Sequence, residues 1–231
     1  MGHLWIQVLP LGEHDERLEL QEAVMQRRLE KYPADFSAHF NLGSVLMMRG
    51  DAAGAVLHFE KALLVQPDNS SARNELGAAF LSESQTTEAV QQFQLALRLD
   101  PEYTDARYNL ANALASEDKW EQAAAQFREV IHRNPEDAKA RDRLFEVLLL
   151  WARDLAEANR LEEVALCYRE AIDLRPRDAG LHANLGTALA RMGRYAEAIP
   201  QFEAALAIDP DLQIAKRNLE AARSMLQPQK P

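Results

Sequence analysis

Residues able to do chemistry are present in this chain, but they never gather. The six histidines, at positions 3, 14, 39, 58, 132 and 182, include no pair four apart, so no helix face offers two imidazoles to one metal ion. Cys167 is alone, which leaves neither a disulfide nor a cysteine-based metal centre within one chain. H-E-x-x-H, P-loop and G-x-G-x-x-G signatures are absent, and the 36 Asp and Glu residues scatter as charges on a solvated surface do. These residues predict a noncatalytic chain with no metal and no cofactor, in which His39 and His182 pack rather than ligate.

What does recur is a polar residue eight places after a proline. Asn41, Glu75, Asn109, Arg143, Asn184 and Asn218 follow Pro33, Pro67, Pro101, Pro135, Pro176 and Pro210 in this way. Four of the six are asparagine, whose amide both donates and accepts and so matches a peptide main chain whatever its side chains. Around the first of them, Ser37, Asn41, Ser44 and Met48 step along one helical face, distinct from the face of Ala38, Leu42 and Leu46.

The elements that position this series follow from the prolines, which stand 34 residues apart except for one step of 41 between Pro135 and Pro176. A fixed period of that size marks a repeat array. Nine and ten residues past the prolines come Leu42-Gly43, Leu76-Gly77, Leu110-Ala111, Leu144-Phe145 and Leu185-Gly186. A second small set, Ala55, Ala89, Ala123, Val164 and Ala198, is followed four residues later by Phe59, Phe93, Phe127, Tyr168 and Phe202, on the same helical face. Turns fall at Gly50, Ser84-Gln85, Asp118-Lys119, Asn159-Arg160 and Gly193-Arg194, and each proline ends the second helix of its unit. Each repeat is therefore two antiparallel helices. Pro200 falls inside a second helix and predicts a mild kink or a late start there.

The formal charge of -10 disfavours nucleic acid and anionic membrane surfaces as partners. No run of about 18 apolar residues spans a membrane. The apolar first segment lacks the basic start and cleavage pattern of a signal peptide, and one cysteine suits the cytoplasm as the default compartment.

The pattern L-G-x-x-[LF], then A-x-x-x-F and a closing proline at 34-residue spacing, resembles the tetratricopeptide repeat family. The usual first-helix tryptophan is replaced here by His39, Arg73, Arg107, Arg141 and His182. The resemblance implies an all-α, right-handed α-solenoid, a superhelix of helix-turn-helix units whose first helices line a concave groove. Its expected plan is a tail over 1–12, a half-repeat helix over 13–33, repeats over 34–67, 68–101, 102–135, 136–176 and 177–210, a cap helix over 211–226 and a tail over 227–231.

The same resemblance implies a protein or peptide partner held in the groove by Phe40, Asn41, Asn74, Tyr108, Asn109, Lys139, Arg143, Asn184 and Asn218. Repeated asparagine looks like the ladder that holds peptide backbone in the O-linked N-acetylglucosamine transferases. Asn109, Lys139 and Arg143 match three of five members of the carboxylate clamp of chaperone-binding tetratricopeptide domains, with Asn74 and Ala78 at the other two. The alternative is a self-assembling structural protein, a homo-oligomer or filament joined through its terminal helices.

The irregular step adds seven residues to the first helix of the fourth repeat, through Trp151 to Glu157. Seven residues are two turns, about 10 Å. Trp151 and Leu155 are expected either on an overhang that neighbouring repeats do not cover, as an apolar contact surface, or on one that folds back and buries Trp151.

Overall fold

The computed structural model describes residues 11–226, with side chains from residue 16. Among the described residues there are twelve helices and no strand. They are α1 (Leu11–Lys31), α2 (Phe36–Met48), α3 (Ala52–Val65), α4 (Ser70–Ser82), α5 (Thr86–Leu99), α6 (Thr104–Ser116), α7 (Trp120–Arg133), α8 (Ala138–Glu157), α9 (Leu161–Leu174), α10 (Ala179–Arg191), α11 (Tyr195–Ile208) and α12 (Gln213–Leu226). None is long and apolar enough to cross a membrane. Most of the N-terminal tail and the last five residues lie outside the described part, and α1 begins at Leu11, within the stretch read as tail. The chain divides between Glu117 and Asp118 into two compact units, one holding α1–α6 and the other α7–α12.

Local chemistry starts and stops these helices. Asp35, Asp51, Asn69, Asp137 and Asp178 each accept a hydrogen bond from the amide three residues on, satisfying a donor that has no partner within the helix. The turns inside the pairs hinge on a left-handed residue: Gly50, Ser84, Asp118, Asn159 or Gly193. The next amide then reaches back five residues, from Asp51 to Leu46, Gln85 to Phe80, Arg160 to Leu155 and Arg194 to Leu189, which is a Schellman closure. Helix α11 runs through Pro200 from Tyr195 onward, so the proline costs one backbone bond and does not delay the helix.

Counting from that hinge sets the packing. Seven residues before it stand Gly43, Gly77 and Gly186, and nine after it Phe59, Phe93 and Phe202, each phenylalanine fully buried. A Cβ on those glycines would lie 2.7, 2.6 and 2.7 Å from the facing ring. The first unit buries Leu42, Leu46, Leu63 and Leu76 around Phe59. The second buries Leu185, Leu189 and Leu219 around Phe202.

The fourth pair departs from this scheme in a way the proline register does not reveal. Helix α8 has 20 residues where α2, α4, α6 and α10 have 13, but α9 keeps the ordinary 14. Counted from the hinge at Asn159, the small residue opposite Tyr168 is Ala152, which is fully buried, and not Phe145. Helix α9 therefore runs back along the last two thirds of α8 and ends near Phe145, where the Arg175 guanidinium lies 3.7 Å from the ring centroid. In the first pair the equivalent Gln66 borders Phe36 and Ser37, at the very start of α2.

The overhang is consequently at the opposite end from the one expected. Leu155 is only 3% exposed, Trp151 is half-buried, and Trp120 at the start of α7 donates from Nε1 to Asp154 Oδ2 at 2.6 Å. The Trp151–Leu155 ledge is thus largely covered, because α9 begins alongside it. Residues 138–143 lie at the far end of α9, where its last residue, Leu174, borders Ala138, Arg141 and Asp142. The step also parts the first helices: α2 packs on α4, α4 on α6 and α10 on α12, whereas α8 and α10 share at most a glancing contact.

If the hinge sets the register, Ala152→Leu overpacks the α8–α9 seam and lowers the stability of the second unit by about 1–3 kcal/mol in urea unfolding. The same change at exposed Ala207 stays within about 0.5 kcal/mol.

Candidate functional site

The polar series splits into residues that are tied down and residues that are free. In the first unit Asn109 donates from Nδ2 to Asn74 Oδ1 at 2.9 Å, and Asn74 donates to Glu75 Oε1 at 3.2 Å. Asn74 is 4% exposed and is also joined to Tyr103, so it is an interhelical tie rather than a surface offered to a ligand. Burial pushes the Glu75 carboxyl above its usual range against the lowering effect of Asn74, with nearby Asp105 adding to the rise. Burial likewise raises the Tyr103 hydroxyl.

Phe40 is half-buried, stacked on Phe36 with centroids 5.8 Å apart and edge-on to Phe59 at 5.7 Å, so much of its ring belongs to the core. Tyr108 is also half-buried, and its carbonyl accepts from Asn112 Nδ2. Asn41 is exposed, and its side chain has no hydrogen-bond partner among the described residues.

In the second unit Asn184 repeats that state, exposed and without a side-chain partner among the described residues. Asn218 donates from Nδ2 to Thr187 Oγ1 at 3.1 Å, and both border a cavity of about 310 Å³ with Arg191, Tyr195 and Met225. Lys139 is exposed, and Arg143 is paired with Glu146 one turn along α8. Counted from the hinge, the position of Asn41 and Asn184 falls in α8 on Leu150, an exposed residue that proline spacing passes over.

The residue six places after each proline forms a separate polar layer, and it is structural. Arg73 donates to the Pro67 carbonyl and to Gln92 Oε1, nineteen residues on, and Arg107 donates to the Pro101 carbonyl. His182 meets Gln201, again nineteen residues on, at 3.0 Å. His39 uses Nε2 on the Pro33 carbonyl at 2.9 Å, and its Nδ1 meets Nδ1 of His58 at 3.0 Å. With the Nε2 proton committed to the carbonyl, a neutral His39 must accept at Nδ1, so His58 donates. Spacing along the sequence gave no sign of this pair, because its partners sit on different helices. Among the described residues no cluster of three or more His, Cys, Asp or Glu side chains could hold a metal ion.

A stack of helix pairs repeated at this spacing defines an all-α repeat protein. Profiles of the tetratricopeptide repeat match residues 21–63, 49–104, 80–144 and 179–212. The chain belongs to the tetratricopeptide repeat family, whose α-solenoid fold class it shares. No curated protein matches it in sequence.

Among solved structures it is similar to YrrB, described as a tetratricopeptide protein with an unusual peptide-binding site, at 21% identity and a TM-score of 0.56 over 85% of this chain and 97% of that one. A tetratricopeptide repeat protein from Parabacteroides merdae gives a TM-score of 0.57 at 17% identity, over 94% and 90%. MamA gives 0.52 at 20% identity, over 85% and 98%. At these identities the likeness is one of fold.

The His39–His58 pair makes the first repeat sensitive to acid. His58 is pushed below its ordinary value of 6.5 by burial first, then by the facing His39 and by Lys61, against the weaker pull of Asp51 and Glu22. A depressed folded value means that the unfolded chain takes up the proton first. Stability is therefore full above that ordinary value and is lost as pH falls below it. His58→Gln, which recreates the His182–Gln201 pairing, should flatten the fall in melting temperature of the first unit between pH 7.5 and 5.5.

Proposed function

We propose that this chain is a noncatalytic interaction adaptor that holds an extended peptide or protein segment along the polar faces of its first helices. The observation that carries this reading is the pair Asn41 and Asn184. They occupy the same repeat position and are exposed, with amides that no neighbour uses, whereas Asn74, Asn109 and Asn218 are fixed by other side chains. Within each unit, a free amide on a first helix can pair with a peptide group of an extended strand irrespective of its side chains. Peptide binding in a protein of this fold, as described for YrrB, supports the same choice.

The test is selection of peptides from a random library on the full chain, followed by calorimetry with the enriched sequence. Asn41→Ala with Asn184→Ala should weaken that peptide at least about fivefold, since each lost hydrogen bond is worth about 1 kcal/mol. The melting temperature should stay within about 2 °C. Failure to enrich any peptide, or unchanged affinity in the double variant, rejects the reading.

A second reading, self-assembly through the terminal helices, is favoured by one observation. Leu20 and Val24, four apart on α1, are 66% and 51% exposed, and Ile214, Met225 and Leu226 are exposed on α12. Among the described residues no helix precedes α1 to cover such a face. Light scattering over a concentration series should show mass rising for the native chain and a constant monomer mass for Leu20→Glu/Val24→Glu. A monomer in both cases rejects assembly.

A further inference from the structure

The seven extra residues of α8 take one cation out of the scaffold. Four residues at its repeat position, His39, Arg73, Arg107 and His182, are held by a proline carbonyl or by the residue nineteen places on. Arg141 has that position counted from Pro135, but α9 is in register with a later part of α8. Nineteen residues before Cys167 stands Leu148, and both are buried, so an apolar pair fills the place of the polar tie. The Cys167 thiol is pushed up to about 12, chiefly by burial, and serves as a small hydrophobe.

Arg141 is left exposed, and its guanidinium has neither a hydrogen-bond nor an ion-pair partner among the described residues. It borders a cavity of about 200 Å³ with Ala138, Asp142, Leu174 and Arg175, at the end of α9. The other charges there are already matched: Arg175 lies over the Phe145 ring and donates from Nη2 to Asp142 Oδ1 at 2.9 Å.

We propose that this notch binds a carboxylate side chain, an Asp or Glu in an acidic segment of a protein partner. Arg141 supplies the planar fork that a carboxylate accepts from in bidentate fashion. With Arg175 and Asp142 offsetting each other, the notch carries one net positive charge, which suits a monoanion better than a dianionic phosphate. Arg177, exposed and without a partner among the described residues, stands two residues beyond Arg175 and offers a cation to the next acidic residue of the same segment. That second cation favours a segment over a free carboxylate.

The inference rests on the reading of the chain as a partner-binding module but uses a different surface. Arg141 lies two residues from both Lys139 and Arg143, about 200° around the helix from either.

Fluorescence anisotropy of a labelled hexaglutamate peptide with the full chain at low ionic strength tests it. The native chain should bind, Arg141→Ala should weaken binding at least about tenfold, and Arg141→Glu should abolish it. Arg217→Glu, at an exposed site on α12, should stay within about twofold, which separates this site from general charge attraction. Melting temperatures should not move, because Arg141 holds nothing in place. No binding by the native chain, equal binding by Arg141→Glu, or an equal loss in Arg217→Glu overturns the proposal. So does displacement by inorganic phosphate at concentrations where acetate has no effect, since the notch would then belong to a phosphate.

Discussion

The contact on which the helix pairs depend is the one between a ring nine residues after the hinge and the small residue seven residues before it. With a Cβ at Gly43, Gly77 or Gly186 less than 3 Å from the facing ring, the two helices could not close to their present distance. That closeness fixes the pair as a rigid unit, and the rigid pair in turn sets where its polar residues point. The left-handed hinge is the other half of the constraint, since it determines which residues are seven before and nine after. Function in such a fold is confined to the positions this contact leaves unused.

Much of that scaffold was legible because it is local and repeated. Hinge, small residue, aromatic and proline recur at fixed spacing, so one mistaken position is corrected by four others. What spacing could not supply is any contact between helices from different parts of the period. Asn74 and Asn109 look alike as asparagines of the expected groove, yet one amide holds the other, and Asn74 is inside. His39 and His58 fail every spacing rule for a helical pair because they face each other across two helices. The seven-residue excess was visible as a number, but the proline register and the hinge register disagree about where it goes. The structure follows the hinge, since a buried aromatic needs a small partner more strictly than a loop needs a fixed level, and so Leu155 is covered where exposure was expected.

The polar layer under the prolines shows how little the scaffold cares about chemistry provided geometry is kept. His with His, Arg with Gln and His with Gln fill one place in three repeats. The arginine version leaves the buried Nε atoms of Arg73 and Arg107 without a hydrogen-bond partner. An unsatisfied buried donor costs free energy, so this substitution is tolerated and not optimal. Burial pushes His58 below its ordinary value, which gives this layer an acid-sensitive group in the first repeat.

Helix α8 has to answer to two neighbours at once. Toward α7 its Asp154 accepts from Trp120; toward α9 it uses residues seven places further on than the proline register gives. Two turns of helix rotate by nearly whole revolutions, so both registers present the same face and neither partner is strained. Arg141, in the first register, is thereby released from pairing with α9, and Leu148 takes its place. A repeat that duplicates its register in this way gains a set of surface positions that no packing rule governs. Those positions are free to be selected for a partner, and it is there, more than in the regular repeats, that the chain can differ from other members of its family without cost to its fold.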